Sequence, residues 1–565
     1  MAGENQGQTQ LHLDAVVVGA GFSGIASLYR FRKAGFKVKA FEAGSYFGGV
    51  WYWNRYPGAR VDSEFPLYQL NIPEIHGTFK YKYKYPSQDE LSGYFAHLDN
   101  VLNLSKDVYF NTEVTSAEYD STIDRWILSA GNYVVTCKYL ALASGALHRT
   151  NKPSFPGLEN YGGKVYHTAA WPEELDVKGK RVAVIGAGAT GVQVVQELAK
   201  KVDHLTVCIR TPSYCLPLGQ KELSSEEQDE QSRTIQELLQ KCRDTVAGYY
   251  PQKATEGSVF DRTSEEREAL WESLWALGGF NFLQVNYSDM LIDPKANREV
   301  YNFWTKKTRP RLTDPVKRDI VAPLNPPYPF GTRRTPLDRD YYECLDQPNV
   351  DLVDLRATPI VEFTNTGMTT AVGRKCEFDV LILATGFDSF TGSLTTMNLK
   401  TKDGVHIRDL WKCGVQTYLG VFVHGLPNAF LLYSPQAPTA LANGPTLIEC
   451  QADLMMEAIQ KLEAMNGRAI EARAEAQTEW SELCEKMVEG TLFPLAGSWW
   501  TGANVPGKKT QMFNFIGGLN NYEQICRDAV KSSKGFDFTT GKSSQSTLQH
   551  EKLGAVASIS DPVAA

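Results

Sequence analysis

Leu13-Asp14-Ala15-Val16-Val17-Val18-Gly19-Ala20-Gly21-Phe22-Ser23-Gly24 decides the fold. A short apolar run ends in Gly-x-Gly-x-x-Gly, and Ile25, Leu28 and Tyr29 follow at helical spacing. Strand, glycine turn and helix in that order make a cradle for a pyrophosphate. The glycines allow a tight turn, and the helix amino terminus offers N–H groups and the positive end of its dipole. The pattern returns at Lys180-Arg181-Val182-Ala183-Val184-Ile185, continued by Gly186-Ala187-Gly188-Ala189-Thr190-Gly191. Val192, Val195, Gln196 and Ala199 then follow in helical register. One such motif is weak. Two, each between a strand pattern and a helix pattern, predict an α/β chain with two dinucleotide-binding, Rossmann-like domains.

The next strand of each unit says which nucleotide it reads. Val38-Lys39-Ala40-Phe41 leads to Glu42. A carboxylate at that point accepts hydrogen bonds from ribose hydroxyls and repels a 2′-phosphate, which suits FAD or NAD. Leu205-Thr206-Val207-Cys208-Ile209 leads instead to Arg210-Thr211. A guanidinium fork with a neighbouring hydroxyl suits the extra phosphate of NADPH. The pair predicts FAD plus NADPH, with hydride passing from nicotinamide to flavin. No two of the ten cysteines form Cys-x-x-Cys, so the disulfide reductases that share this layout are excluded. Oxygen is then the leading acceptor of the flavin's electrons.

Further out, the composition narrows the class. The net charge of −7 over 565 residues lacks the basic stripe of a nucleic-acid binder. No apolar run is long enough to span a bilayer, and Met1–His12 lacks the pattern of a secretory signal. With scattered cysteines, a cytoplasmic enzyme is expected. Residues 1–11, and 539–565 rich in Ser, Gly, Thr and Lys, read as disordered tails. From about Leu223 to Pro323 the chain is polar and helix-prone. Ser224-Ser225-Glu226-Glu227 and Thr263-Ser264-Glu265-Glu266 read as capping boxes, and Gly278-Gly279 stops the second helix. Lys80-Tyr81-Lys82-Tyr83-Lys84-Tyr85 alternates basic and aromatic residues; in an acidic chain it reads as a half-exposed strand or loop. No His-Glu-x-x-His occurs, and no metal site is expected.

Between the two cradles stands Tyr161-Gly162-Gly163-Lys164-Val165-Tyr166-His167-Thr168-Ala169-Ala170-Trp171-Pro172. It resembles the F-x-G-x-x-x-H-x-x-x-W-P fingerprint of type I Baeyer–Villiger monooxygenases, with Tyr161 in the Phe position. Gly48-Gly49-Val50-Trp51 through Tyr56-Pro57-Gly58 to Asp62, Pro329-Phe330-Gly331-Thr332-Arg333-Arg334, Ala384-Thr385-Gly386-Phe387-Asp388 and the loop Ser498–Lys508 are similar to four more family segments. In the third of these five, Arg333 replaces the usual Lys. The related N- and S-oxygenating flavin monooxygenases typically lack the Trp-Pro ending.

The resemblance implies an FAD domain over 12–150 and 388–538, an NADP domain over 151–222 and 324–387, and a helical insertion over 223–323. It implies that NADPH reduces the flavin, and that a peroxide formed with O2 at flavin C4a attacks a ketone to give an ester or lactone. Arg334 would stabilise that anion and Asp62 would pair with Arg334. Gly19, Gly21, Ser23, Gly24 and Glu42 would bind FAD, with Val50, Trp51, Tyr52, Trp53, Asp62 and Tyr68 along the flavin. Gly186, Gly188, Ala189, Thr190, Gly191, Arg210, Thr211, Arg333, Arg334 and Trp499 would bind NADP. His167 and Trp171 would belong to the interdomain linker. Two other readings stay open: an N- or S-oxygenating flavoenzyme, and a non-catalytic dinucleotide-binding module. The ketone and the oligomeric state are not encoded in any of these motifs.

Overall fold

The structure, a computed structural model, describes residues 8–250 and 253–540. Two five-stranded parallel sheets organise it. The first runs Ala429–Leu431, Tyr139–Leu142, Ala15–Val18, Val38–Phe41, Val108–Tyr109. The second runs Val350–Asp354, His204–Ile209, Arg181–Ile185, Val380–Leu383, Lys164–His167. Central strands of parallel sheets are covered on both faces, which is why they read as unbroken apolar runs. Ala15–Val18 and Val380–Leu383 are buried at every residue. A mixed sheet of Thr9–His12, Tyr133–Cys137, Arg125–Ala130, Val114–Asp120 and Asn398–Leu399 flanks the first.

Each cradle leads into a helix, Phe22–Lys33 and Ala189–Leu198. The last glycine of each motif is there for closeness. A Cβ on Gly24 would lie 2.0 Å from the Gly19 carbonyl oxygen, and one on Gly191 would lie 2.2 Å from that of Gly186. Any other residue would push helix from strand.

Residues 225–321 contribute helices: Ser225–Arg243, Ser264–Leu277, Asn281–Gln284, Pro294–Thr308 and Pro315–Val321. Both capping boxes are formed. Ser224 Oγ accepts from Glu227 N at 3.2 Å while Ser224 N donates to the Glu227 carboxylate, and Thr263 and Glu266 repeat the exchange. Gly278 takes a positive φ of 69° and ends the second helix. The Lys-Tyr alternation packs as an interface: Tyr81 and Tyr85 are buried, while Lys80 and Lys82 pair with Asp229 and Glu222, and Lys84 with Glu64.

The amino-terminal tail is shorter than its composition suggested. Thr9–His12, expected to be disordered up to residue 11, is an edge strand paired in parallel with Tyr133–Cys137. Its side chains are mostly exposed, so apolar patterning could not reveal it; backbone hydrogen bonds such as Thr9 N to Asn132 O hold it. At the other end, Thr539 still belongs to the strand Phe536–Thr539, paired with Ala469–Ala472. The remaining tail residues, 1–7 and 541–565, lie outside the described residues.

Candidate active site

Glu42 sits at the tip of the first cradle, 5% exposed. Its Oε2 accepts from Ala20 N and its Oε1 from Gly44 N, both at 2.7 Å. Two backbone donors thus fix the carboxylate beside Gly19, Gly21 and Ser23, with lone pairs left for further donors. Beyond it lies the short helix Val50–Trp53, in which no side chain is fully buried. Trp51 Nε1 donates to the Tyr68 hydroxyl at 3.1 Å, and Tyr68 stands edge-on to Phe22. Tyr52 accepts from Ser45 N, and Trp53 stands against His148. These half-exposed aromatics border the space in front of the first cradle, as a planar ring system would require.

In the second cradle, a Cβ on Gly188 would meet nothing within 4 Å. The backbone there faces open space, as an approaching pyrophosphate requires. Arg210 follows the strand His204–Ile209 and is exposed beside Thr211. Arg333 packs its guanidinium over the Tyr328 ring at 4.8 Å and donates to the Gly497 carbonyl. Burial and the nearby Arg210 charge depress its pKa. Its Nε is buried without a partner among the described residues. Two cations near enough to feel each other, one with a spare donor, are a set that fits a phosphate monoester.

Arg334 and Asp62 come together from segments 272 residues apart. Arg334 Nε donates to Asp62 Oδ2 at 3.1 Å and Nη2 donates to the same oxygen. Nη1 donates to the Ala440 carbonyl at 3.2 Å, and the Phe280 ring lies 4.6 Å under the guanidinium. Burial works against the charge, but Asp62 outweighs it and the Arg334 pKa is raised. Burial also raises the neighbouring phenols, Tyr433 up to about 12 and Tyr249 further. This corner therefore holds a permanent cation, paired with Asp62, beside hydroxyls that stay neutral near pH 7. Sequence reasoning found Arg334 and Asp62. It did not name Phe280 or Tyr249, because aromatic residues in a helical insertion carry no motif, nor the Ala440 contact, which is through its backbone carbonyl.

His167 is 4% exposed and structural in its bonding. Its Nδ1 accepts from Ala169 N, so Nε2 carries the proton and donates to Gly386 O at 3.1 Å. Burial lowers its pKa, keeping the ring neutral. Trp171 is partly buried against the core of the second sheet. Trp499 stacks on Phe390 with centroids 5.5 Å apart. Its loop is tied down by Asn504 Nδ2 to Phe387 O at 2.8 Å and Lys508 Nζ to Asp388 Oδ1 at 2.6 Å.

Two dinucleotide cradles, one acid-tipped and one with two arginines near it, together with a partly buried guanidinium paired to Asp62, define a two-nucleotide flavoprotein oxygenase. A profile described as pyridine nucleotide-disulphide oxidoreductase matches residues 13–236. The chain is 40% identical over 535 residues to cyclopentanone 1,2-monooxygenase of Comamonas sp., covering 94% of this chain and 96% of that protein. It is 34% identical to cyclohexanone 1,2-monooxygenase of Acinetobacter sp. over 94% of this chain and 98% of that protein. Among solved structures, closed cyclohexanone monooxygenase superposes with a TM-score of 0.90 at 34% identity, covering 94% of this chain and all of that one. Oxidised steroid monooxygenase bound to NADP gives 0.88 at 37% identity, with the same coverages. The chain belongs to the Baeyer–Villiger monooxygenases, FAD- and NADPH-dependent flavoproteins. The Cys-x-x-Cys pair of disulfide reductases does not occur among the chain's ten cysteines.

Proposed function

We propose that this enzyme oxidises a ketone, using NADPH and O2 to place one oxygen atom beside the carbonyl and release an ester or lactone. The observation that carries the reading is the partly buried Arg334 guanidinium pinned by Asp62. When bound, FAD takes hydride from NADPH and activates dioxygen.

The chain's residues do the rest. Arg334 holds a fixed positive charge where negative charge develops on oxygen. Asp62 aims the fork and offsets the cost of burying it. Gly19, Gly21, Ser23 and Gly24 cradle the FAD pyrophosphate, Glu42 reads its ribose, and Val50, Trp51, Tyr52, Trp53 and Tyr68 border the flavin. Gly186, Gly188, Ala189, Thr190 and Gly191 cradle the NADPH pyrophosphate, and Arg210, Thr211 and Arg333 take the 2′-phosphate. Trp499 would close over NADP⁺. His167 and Trp171 shape the linker.

In this reading FAD belongs to 12–150 with 388–538, NADP belongs to 151–222 with 324–387, and 223–323 roofs the site. We also assign the enzyme to a reducing compartment, the cytoplasm, because none of its cysteines is paired and nine are buried. No helix among the described residues is long and apolar enough to cross a membrane.

The test is a panel of cyclic, linear and aryl ketones with NADPH and air, read by product mass. Esters one oxygen heavier than their ketones are expected. Oxidation confined to amines or sulfides would move the enzyme to N- or S-oxygenation; a relative 34% identical is named phenazine N-monooxygenase.

A further inference from the structure

A narrow cleft opens beside Asp62 on the side of the helical insertion. Asp62, Glu64, Tyr85, Tyr249, Phe280 and Gln284 line it, and its cavity volume is about 20 Å³. Its floor is too tight for a ketone, and its walls carry the several polar partners that an ordered water needs. Tyr249 is the fixed point of this wall. Its hydroxyl shares a 2.6 Å hydrogen bond with Ser63 Oγ, and Ser63 is 2% exposed. The turn that carries it is pinned from behind: Asn443 N donates to Ala247 O, Thr446 Oγ1 to Gly248 O, and Thr245 Oγ1 to Tyr249 O. Glu64 is held by Lys84 at 2.8 Å, with 16% of its side chain exposed.

The reaction has a proton requirement that Arg334 does not meet. Ketone, O2, NADPH and one proton give ester, NADP⁺ and water. One oxygen atom enters the carbon–carbon bond, and the other leaves as water carrying the proton drawn from solvent. A guanidinium does not give up its proton in a protein. Both Arg334 donors to Asp62 land on Oδ2, and Oδ1 accepts no hydrogen bond among the described residues.

We propose that this cleft is the proton entry of the enzyme. Ordered water between Glu64, the Tyr249–Ser63 pair and Asp62 delivers the one solvent proton that each turnover consumes, and Tyr249 is its positioning residue. The inference rests on the ketone-oxygenase reading. Hydroxyls and carboxylates in such a chain orient water for proton transfer, and losing one member weakens the rest.

The test uses the FAD-loaded enzyme and two variants, Tyr249→Phe and Glu64→Gln. In each, kcat for ester formation is expected to fall about tenfold or more, with KM for the ketone within about twofold of the parent and a larger solvent deuterium isotope effect on kcat. Anaerobic reduction of FAD by NADPH precedes the proton demand and is expected to keep its rate; a merely structural defect would slow both. A crystal structure of the loaded enzyme is expected to show ordered water joining Tyr249 Oη to Asp62. Parent-like kcat and isotope effect in both variants, reduction falling in step with kcat, or a dry cleft would each overturn the proposal. A parent enzyme that yields only hydrogen peroxide with every ketone overturns the functional reading itself, and this inference with it.

Discussion

Replacing Arg334 by alanine removes the partly buried cation paired with Asp62 and leaves Asp62 beside Phe280. The cradle at Gly19–Gly24 is untouched, so flavin content should equal that of the parent. Ester formation should fall by about 10²–10³ or more, the usual cost of deleting a preorganised charge partner, while NADPH oxidation continues as peroxide release. Flavin absorbance and product assay check this; parent-like ester yield would remove Arg334 from the mechanism. Arg210→Ala loses a charge-assisted contact of about 1.5–3 kcal/mol, so the preference in kcat/KM for NADPH over NADH should shrink by about 10- to 100-fold. Steady-state kinetics with both nucleotides decide, and an unchanged ratio would leave Arg333 alone as the phosphate reader. Arg210, Arg334 and Asp62 could be named as candidates because each sits in or just after a short motif. Tyr249 and Ser63 could not: their contact spans 186 residues, and neither local spacing nor composition encodes it.

At the scale of elements, the helix Gly444–Ala464 gathers charges that no motif announced. Asp453 takes Arg30 Nε at 2.7 Å from the first cradle's helix and Arg243 Nη1 at 2.7 Å from the insertion, while Arg243 also pairs with Glu523. Glu449, one turn away, is 4% exposed and accepts from Asn71 N at 2.7 Å. Burial raises its pKa to about 7, against the pull of Arg30. A carboxyl raised in the fold stabilises fully below its unfolded value and loses that contribution as pH climbs through about 7. The loss above that point is roughly 3 kcal/mol. Glu449→Gln keeps the acceptor and removes the titration. Its Tm should match the parent near pH 5 and exceed it near pH 8.5; equal shifts at both values would show that Glu449 does not titrate there. Capping boxes were readable because hydrogen-bonding side chains sit three residues apart within one element, and the cradles because their glycines recur at fixed spacing between an apolar strand and a helical pattern. The edge strand Thr9–His12 was not, since its stability lies in backbone bonds to a strand more than a hundred residues away.

Over the whole molecule, the chain passes between the two sheets twice, and the passages lie side by side. Asn151 N donates to Gly386 O at 2.8 Å and Asp388 N to Arg149 O at 2.9 Å. The loop Ser498–Lys508 grips both: Asn151 Nδ2 donates to Asn504 O, Asn504 Nδ2 to Phe387 O, and Lys508 Nζ to Asp388 Oδ1 and Ser389 O. The order of the motifs along the chain told that two nucleotide domains exist. That these three segments meet could not be read, because no one of them holds the others' partners in its sequence. Burial depresses the Lys508 pKa, and Asp388 opposes it, so the ion pair is held in a partly dry setting where removal of one member is costly. If this contact couples the Trp499 loop to the passages, Lys508→Ala should loosen all three together. Amide exchange is expected to quicken in 498–508, 149–151 and 386–390 alike, and KM for NADPH to rise about tenfold, with flavin content unchanged. Faster exchange limited to 498–508 would mean that the loop rests on the passages without holding them.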